Sequence, residues 1–384
     1  MAVPSKSKGQ LPEGRSGFRG SERALISTSV APRQPDAPGV RARTDALRRA
    51  AGDLGFDAFG VARVAPIDPE GRLRAWLARG YHGGMDYMAE RVAEREDVTR
   101  LVPGARSVVV LASSYYRPDY RPHERLAVSR YAAGDDYHRV IRKKIRKLRK
   151  ILLEWEPGAS VKPTIDTSPV LERAWAARAG VAWIGKSTMA LSTELGTYFF
   201  LSTLITDVEL VPDEPVPDRC GSCTRCLDAC PTDAFVEPGV LDATRCITYW
   251  TVERRDAEPG QMVDLHGWVA GCDVCQEVCP WNKFARPTRE PRFAPRAEWS
   301  NPVHLNTPKA WARAAEGTAL QRTGGPALHR NAEKIRADPG PSGPAVPAGQ
   351  PTDEPAGSPV PKSDRAEIRT CPKGGFRGDG SAES

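Results

Sequence analysis

Eight of the nine cysteines in this chain crowd into the sixty residues from Cys220 to Cys279, in a ladder that few folds accommodate. It reads Cys220-Gly-Ser-Cys223-Thr-Arg-Cys226-Leu-Asp-Ala-Cys230-Pro231, then Cys246 alone, then Cys272-Asp-Val-Cys275-Gln-Glu-Val-Cys279-Pro280. Two blocks ending Cys-x-x-x-Cys-Pro have the spacing of a bacterial two-cluster ferredoxin. Two intervening residues let consecutive sulfurs point at one centre, while the fourth, beside proline, turns to the other centre. Eight soft thiolates thus suit two [4Fe–4S] cubanes. The expected sets are Cys220, Cys223, Cys226 and Cys279 on cluster 1, and Cys230, Cys246, Cys272 and Cys275 on cluster 2. The second block is irregular, because Cys246 precedes Cys272 by 26 positions and an insertion must separate them. Zinc ribbons also use Cys-x-x-Cys pairs, but tripled cysteines and two Cys-Pro endings weigh against zinc. A disulfide framework is less suited still, since a chain of 384 residues can bury a core without staples. The module carries electrons, so the rest of the chain is expected to do redox chemistry.

Hydrophobic residues make up 40% and charged residues 27%, the balance of an ordinary soluble protein. No run of eighteen apolar residues occurs, so no membrane span is expected. The net charge of +7 points weakly to an anionic partner such as RNA. Residues 1–38 are polar and basic and read as a disordered N-terminal segment, either an organellar transit peptide or an overextended start. Residues 41–54 predict a helix, Phe59 to Val64 a short strand, and Ser107 to Ala112 a buried strand. Pro169 opens a predicted helix through Arg178, with Ser168 as its cap and Gly180 as its stop. Tyr198 to Leu210 reads as a long strand. Helices and strands alternate, so residues 39–212 form an α/β or α+β catalytic domain. The ferredoxin-like domain follows at 213–290, a partial helical region at 291–335, and a Pro/Gly-rich tail at 336–384 that is expected to be disordered. Cys371, in that tail, is a bystander to the ladder.

With the ladder placed, the flanking segments resemble the epoxyqueuosine reductase family, cobalamin-dependent iron–sulfur enzymes that complete queuosine in tRNA. The matching stretches include Gly80-Tyr-His-Gly-Gly-Met-Asp-Tyr-Met88, Leu101-Val-Pro-Gly-Ala-Arg-Ser-Val108, Ser129-Arg-Tyr-Ala-Ala-Gly-Asp-Asp-Tyr-His138 and Asp166-Thr-Ser-Pro-Val-Leu-Glu-Arg173. Trp183-Ile-Gly-Lys-Ser187, Thr197-Tyr-Phe-Phe-Leu201 and the segment ending Cys279-Pro-Trp-Asn282 continue it. The resemblance spans roughly residues 40 to 330. It implies an α+β fold: an α/β-type corrin-binding domain, then a two-cluster ferredoxin-like domain, a short helical remnant and a disordered tail. It implies reduction of an epoxide by cob(I)alamin that the two [4Fe–4S] clusters refill one electron at a time. It also implies a cytoplasmic, monomeric enzyme, a tRNA anticodon stem-loop as partner, and an external donor such as a flavodoxin or ferredoxin system.

The leaving oxygen needs an acid. The family's proton donor falls, by resemblance, on Asp136, the second Asp of Tyr-Ala-x-Gly-x-Asp-Tyr-His; Asp135 stands at the variable position. A carboxylic acid kept protonated at neutral pH must be desolvated, and a corrin face with Tyr137 would provide that. Without the motif, Asp136 reads as a loop carboxylate capping the next helix. Tyr131 and His138 come second, for substrate contact or for orienting the acid. Asp166, Ser168, Arg173, Lys186 and Ser187 look like corrin-pocket positions, with Ser187 standing where the family usually has Asn. The Asp-x-His-x-x-Gly signature of a lower-ligand histidine is missed at Asp264-Leu-His266, since position 269 is Val.

Eight of the twelve residues from Arg139 to Lys150 are Lys or Arg, while Ile141, Ile145, Leu148 and Leu152 recur at helical spacing. Such a face is usually just solvated. Beside the proposed active loop it suits tRNA phosphates, with Arg142, Lys143 and Lys147 as contacts. After residue 332 the resemblance dissolves, through a truncation or a frame shift near Gly325, which is expected to weaken tRNA affinity without altering the chemistry. Two alternatives stand beside this reading. One is a dehalogenase-like corrinoid reductase acting on a small molecule; the other is a ferredoxin-like carrier that would bind no corrin.

Overall fold

The run Ser107–Ser114 is buried along its whole length, and the front half of the chain is built around it. The computed structural model describes residues 38–338. There the run lies inside a four-stranded sheet in the order Ala58–Arg63, Ser107–Ser114, Phe199–Thr206, Val161–Thr164. Every neighbour is antiparallel, with Val61 opposite Val109 and Val109 opposite Leu204. Pro163, which has no N–H to donate, sits on the edge strand where that is tolerated.

Side chains alternate between the two faces of a strand. Val109, Leu111 and Leu204 meet Leu47 and Ala51 of helix Pro38–Asp53 and Ile141, Ile145, Leu148 and Leu152 of helix Tyr137–Trp155. Val108, Val110, Ala112 and Ile205 meet Trp175 and Ala176 of helix Glu172–Arg178. Helices cover both faces, which is why the central strand reads as an unbroken apolar run. Antiparallel pairing makes the arrangement α+β.

Element boundaries shift modestly from expectation. The first helix starts at Pro38 and ends at Asp53, the first strand is Ala58–Arg63, and the long strand contracts to Phe199–Thr206. The helix expected from Pro169 begins only at Glu172, behind Leu171, so Ser168 does not cap it. Residues 166–171 instead form a loop closed by the Asp166 N–H donating to Glu172 Oε1 at 2.9 Å and the Val170 N–H donating to the Ser168 carbonyl at 2.8 Å.

A second core gathers three regions. Leu126, Ala132 and Ala133 pack with Ile247, Trp268 and Val274 of the cysteine segment and with Trp299, Trp311, Leu320 and Leu328 of the C-terminal helices. The expected remnant after residue 290 is therefore packed structure, with helices Pro308–Ala315 and Gly325–Ala337. Asn331 locks it in place: fully buried, its amide donates to the Thr251 carbonyl at 3.1 Å and the Val269 carbonyl at 2.9 Å. Asn331→Ala leaves two carbonyls unsatisfied, and chemical denaturation should show a loss of about 1–3 kcal/mol. The expectations for residues 1–37 and 339–384, Cys371 among them, lie outside the described residues. Among the described residues, no helix is long and apolar enough to cross a membrane.

Candidate active site and iron–sulfur centres

Each Cys-x-x-Cys turn runs into a short helix, Arg225–Asp228 in one block and Val274–Glu277 in the other, and these helices pack near one another. Cys220, Cys223, Cys226 and Cys279 line one cavity of about 140 Å³, together with Lys186, Ser187 and Trp281. Cys279 comes from the second block, so the cavity joins the two blocks. The remaining four thiols of the ladder are Cys230, Cys246, Cys272 and Cys275. Burial, then the charges of Cys246 and Cys230, pushes the Cys275 thiol well up, and burial with Cys275 beside it does the same to Cys272. Burial raises Cys246 as well, with Cys230 adding to it. Thiols this reluctant to ionise alone become thiolates when metal charge is brought to them. Soft donors in two groups of four, one already ringed around a cavity, fit two iron–sulfur clusters.

The loop before the basic helix is held from behind. Gly134 packs so tightly that a Cβ would lie 2.8 Å from the Phe293 Cα and 2.9 Å from the Arg292 carbonyl. The Asp135 N–H donates to the Arg292 carbonyl and the Asp136 N–H to the Gly317 carbonyl, both at 2.8 Å. Asp135 is tied to Arg296 at 3.0 Å. The C-terminal region thus fixes the position of Asp136.

Asp136 caps helix Tyr137–Trp155, accepting from the His138 N–H at 3.0 Å, so the capping reading is correct as local structure. The same carboxylate also meets the His138 ring, with Nδ1 2.8 Å from Oδ1, while His138 Nε2 lies 3.1 Å from Asp166 Oδ2. The imidazole is clamped between two carboxylates. Burial alone would lower its pKa, but the hydrogen bonds to Asp136 and Asp166 and their charges push it up to about 9. The two carboxylates thus favour the protonated ring, which can donate to Asp136 and Asp166 at once. Burial would raise Asp136, yet the His138 hydrogen bond and charge outweigh it and hold the carboxyl below its ordinary range. The Asp136 carboxyl shares its proton traffic with the His138 ring rather than standing alone. Tyr137 stacks on His138 at 4.0 Å between ring centroids and on Phe200 at 4.1 Å.

Asp166 is exposed and carries a left-handed backbone, φ 56°. The protein atoms crowding one side of its carboxyl would raise it, but hydrogen bonds from His138 and Tyr137 outweigh this and hold it low. Burial and the Asp166 charge push Glu172 up to about 8. Arg173 Nη1 donates to the Thr188 carbonyl at 2.5 Å, tying the 166–173 loop to the 184–188 loop. Thr188 is also left-handed, φ 61°, which is strained for a β-branched residue. Two strained, mutually tied loops beside Asp136 fit a cofactor wall. Lys186 and Ser187 stand elsewhere on it: the Lys186 ammonium donates to the carbonyls of Gly221 at 2.8 Å and Cys223 at 3.0 Å, and both residues line the cluster 1 cavity.

The sequence reading missed a third group. Tyr87 OH lies 3.4 Å from Glu253, and Arg322 grips Glu253 at 2.5 and 3.1 Å. Burial, then the charge of Glu253, pushes the Tyr87 phenol up to about 12. Tyr87 lay within a quoted motif, but nothing in the pattern marked Glu253 or Arg322.

On the basic helix, Arg142, Lys143, Arg146 and Lys147 are exposed, whereas Lys144 is drawn to Glu290 at 2.9 Å. Ile141, Ile145, Leu148 and Leu152 are buried beneath them.

A family model described as a 4Fe-4S double cluster binding domain matches residues 219–282, and one described as epoxyqueuosine reductase QueG, DUF1730, matches residues 95–167. The epoxyqueuosine reductase of Cyclobacterium marinum is 38% identical over 303 residues, covering 77% of this chain and 98% of that protein. The chain belongs to the epoxyqueuosine reductase family. The Gloeobacter violaceus member is 39% identical over 312 residues, 78% of this chain and 95% of the relative. A crystal structure of epoxyqueuosine reductase with an epoxyqueuosine-modified tRNA-Tyr stem loop superposes with a TM-score of 0.68 at 31% identity, covering 76% of this chain and 80% of that one. Membership in the epoxyqueuosine reductase family makes the chain an oxidoreductase and sets aside the plain electron carrier.

Proposed function

We propose that this chain reduces epoxyqueuosine at the wobble position of a tRNA stem loop to queuosine, the last step in making that base. The reaction takes one epoxide, two electrons and two protons to an alkene and water. The observation that carries the reading is the juxtaposition of a two-cluster cysteine module with a clamped Asp136–His138–Asp166 proton site in a chain of this family. Cobalamin, held against the loops of Asp166, Ser168 and Arg173 with Lys186 and Ser187 at their far end, would supply the electron pair, refilled from the clusters. The residues supply the first proton. Asp136 faces the departing oxygen and delivers a proton drawn from the His138 Nδ1–H. Asp166 accepts from the His138 Nε2–H and keeps the ring aligned, and the second proton comes from solvent as the oxygen leaves as water. The enzyme works as a cytoplasmic monomer and takes its electrons from an external carrier.

The test is anaerobic reconstitution with iron, sulfide and cobalamin, followed by turnover of epoxyqueuosine tRNA with dithionite as reductant. About eight iron and one cobalt per chain, with queuosine formed, support the reading. Iron without stoichiometric cobalt returns it to a carrier. The exposed cations Arg142, Lys143 and Lys147 bind tRNA phosphates in this reading. Reversing all three to Glu should weaken stem-loop binding by roughly tenfold or more at low salt and flatten its salt dependence. Unchanged affinity at low salt would remove the helix from the interface.

A further inference from the structure

We infer that the surface around cluster 1 is the docking face for a small acidic one-electron carrier protein, and that electrons enter there and leave through cluster 2. This rests on the proposed function, which requires an external donor, and adds where the donor binds.

Two observations set the direction of flow. Cluster 2 adjoins the catalytic loop: Gly271, next to Cys272, lies so close to that loop that a Cβ would be 2.0 Å from Ser129 Oγ and 3.2 Å from the Tyr131 ring. The Arg130 N–H also donates to Asp273, between two cluster 2 cysteines, at 2.7 Å. Cluster 1 instead opens outward. Its cavity is lined by Arg219, Arg225, Lys283 and Phe284, all exposed, with Phe284 at 39%.

The charge lining that opening is one-sided. Its exposed cations are Arg219, Arg225 and Lys283, and no carboxylate lines it. Two exposed acids adjoin the lining in sequence, Asp218, which accepts from the Cys220 N–H, and Asp228, which accepts from the Thr224 hydroxyl, both at 2.8 Å, so the three exposed cations leave the rim positive on balance. An apolar centre with a cationic rim is the anatomy of a transient protein interface, and the charge selects an acidic partner and speeds the encounter. RNA would also answer to positive charge. The exposed Phe284 and the cluster beneath it favour a protein that must bring its redox centre close. Each encounter oxidises the carrier by one electron and reduces cluster 1 by one, and two encounters supply the pair that the epoxide takes.

The experiment uses reconstituted holoenzyme, with Arg219→Glu, Arg225→Glu and Lys283→Glu made singly and together, each checked for full iron content. Stopped-flow bleaching of the clusters by reduced flavodoxin is measured across a salt series, with dithionite as the small reductant. The combined variant should react about 10- to 1,000-fold more slowly at low salt and lose its salt dependence, with the dithionite rate unchanged. An unchanged flavodoxin rate overturns the proposal. So does a wild-type enzyme that dithionite reduces and flavodoxin does not, or a variant that loses tRNA stem-loop affinity while its reduction is normal. If dithionite-reduced wild type fails to convert the tRNA, the proposed function falls, and the flavodoxin rates still decide the docking face.

Discussion

Asp136→Asn should lower turnover by roughly 10²–10⁴-fold, the range for losing a positioned proton donor, while stem-loop affinity stays near wild type. An amide still caps the helix by accepting from the His138 N–H, so the fold is spared and the loss reports on chemistry. The pH dependence separates this from a merely structural carboxylate. His138 has its pKa raised from 6.5 to about 9 by its two carboxylate partners. The stability from that clamp is whole below 6.5 and is lost as pH climbs through about 9. Turnover should therefore hold across neutral pH and fall on the alkaline side near 9. In His138→Gln, which keeps a hydrogen-bonding side chain but cannot carry the proton, that alkaline limb should vanish along with most of the rate. A wild-type alkaline limb that survives in His138→Gln would take the histidine out of proton delivery.

What the sequence carried and what it hid divide along physical lines. The cluster ligands were readable because a thiolate ladder obeys short-range spacing, and the sheet was readable because Ser107–Ser114 is apolar on both faces. The charge state of Asp136 was not. It depends on a ring two residues on and on Asp166, thirty positions away, and the pairing needs the 166–171 loop to replace the first turn of the expected helix. Glu253 and Arg322 escaped for the same reason, since their ion pair joins the insertion after Cys246 to the C-terminal region. The latter read as a remnant because its apolar residues are few, but those few include the fully buried Trp299 and Trp311. Lys186 carries a link that its motif did not reveal: its ammonium donates to two carbonyls of the cluster 1 loop.

The ladder's crossed pairing makes the largest expected effect. Cys279 lies in the second block yet lines the cavity of the first three cysteines, so Cys279→Ser should cost cluster 1 and leave cluster 2. Cys275→Ser should do the reverse. Each variant should retain about four iron per chain, half the wild-type content. Their turnover should differ sharply, because the inferred route runs from cluster 1 through cluster 2, whose Gly271–Asp273 segment packs on the catalytic loop. Without cluster 2, electrons on cluster 1 have no path to the site, and Cys275→Ser should show no measurable turnover with either flavodoxin or dithionite. Without cluster 1, the protein donor loses its entry point, but a small reductant can still reach the inner cluster. Cys279→Ser should then be dead with flavodoxin and retain part of its dithionite-driven rate. Iron counts and the two reductants together read both the pairing and the order, and equal residual activity in the two variants would refute the series arrangement.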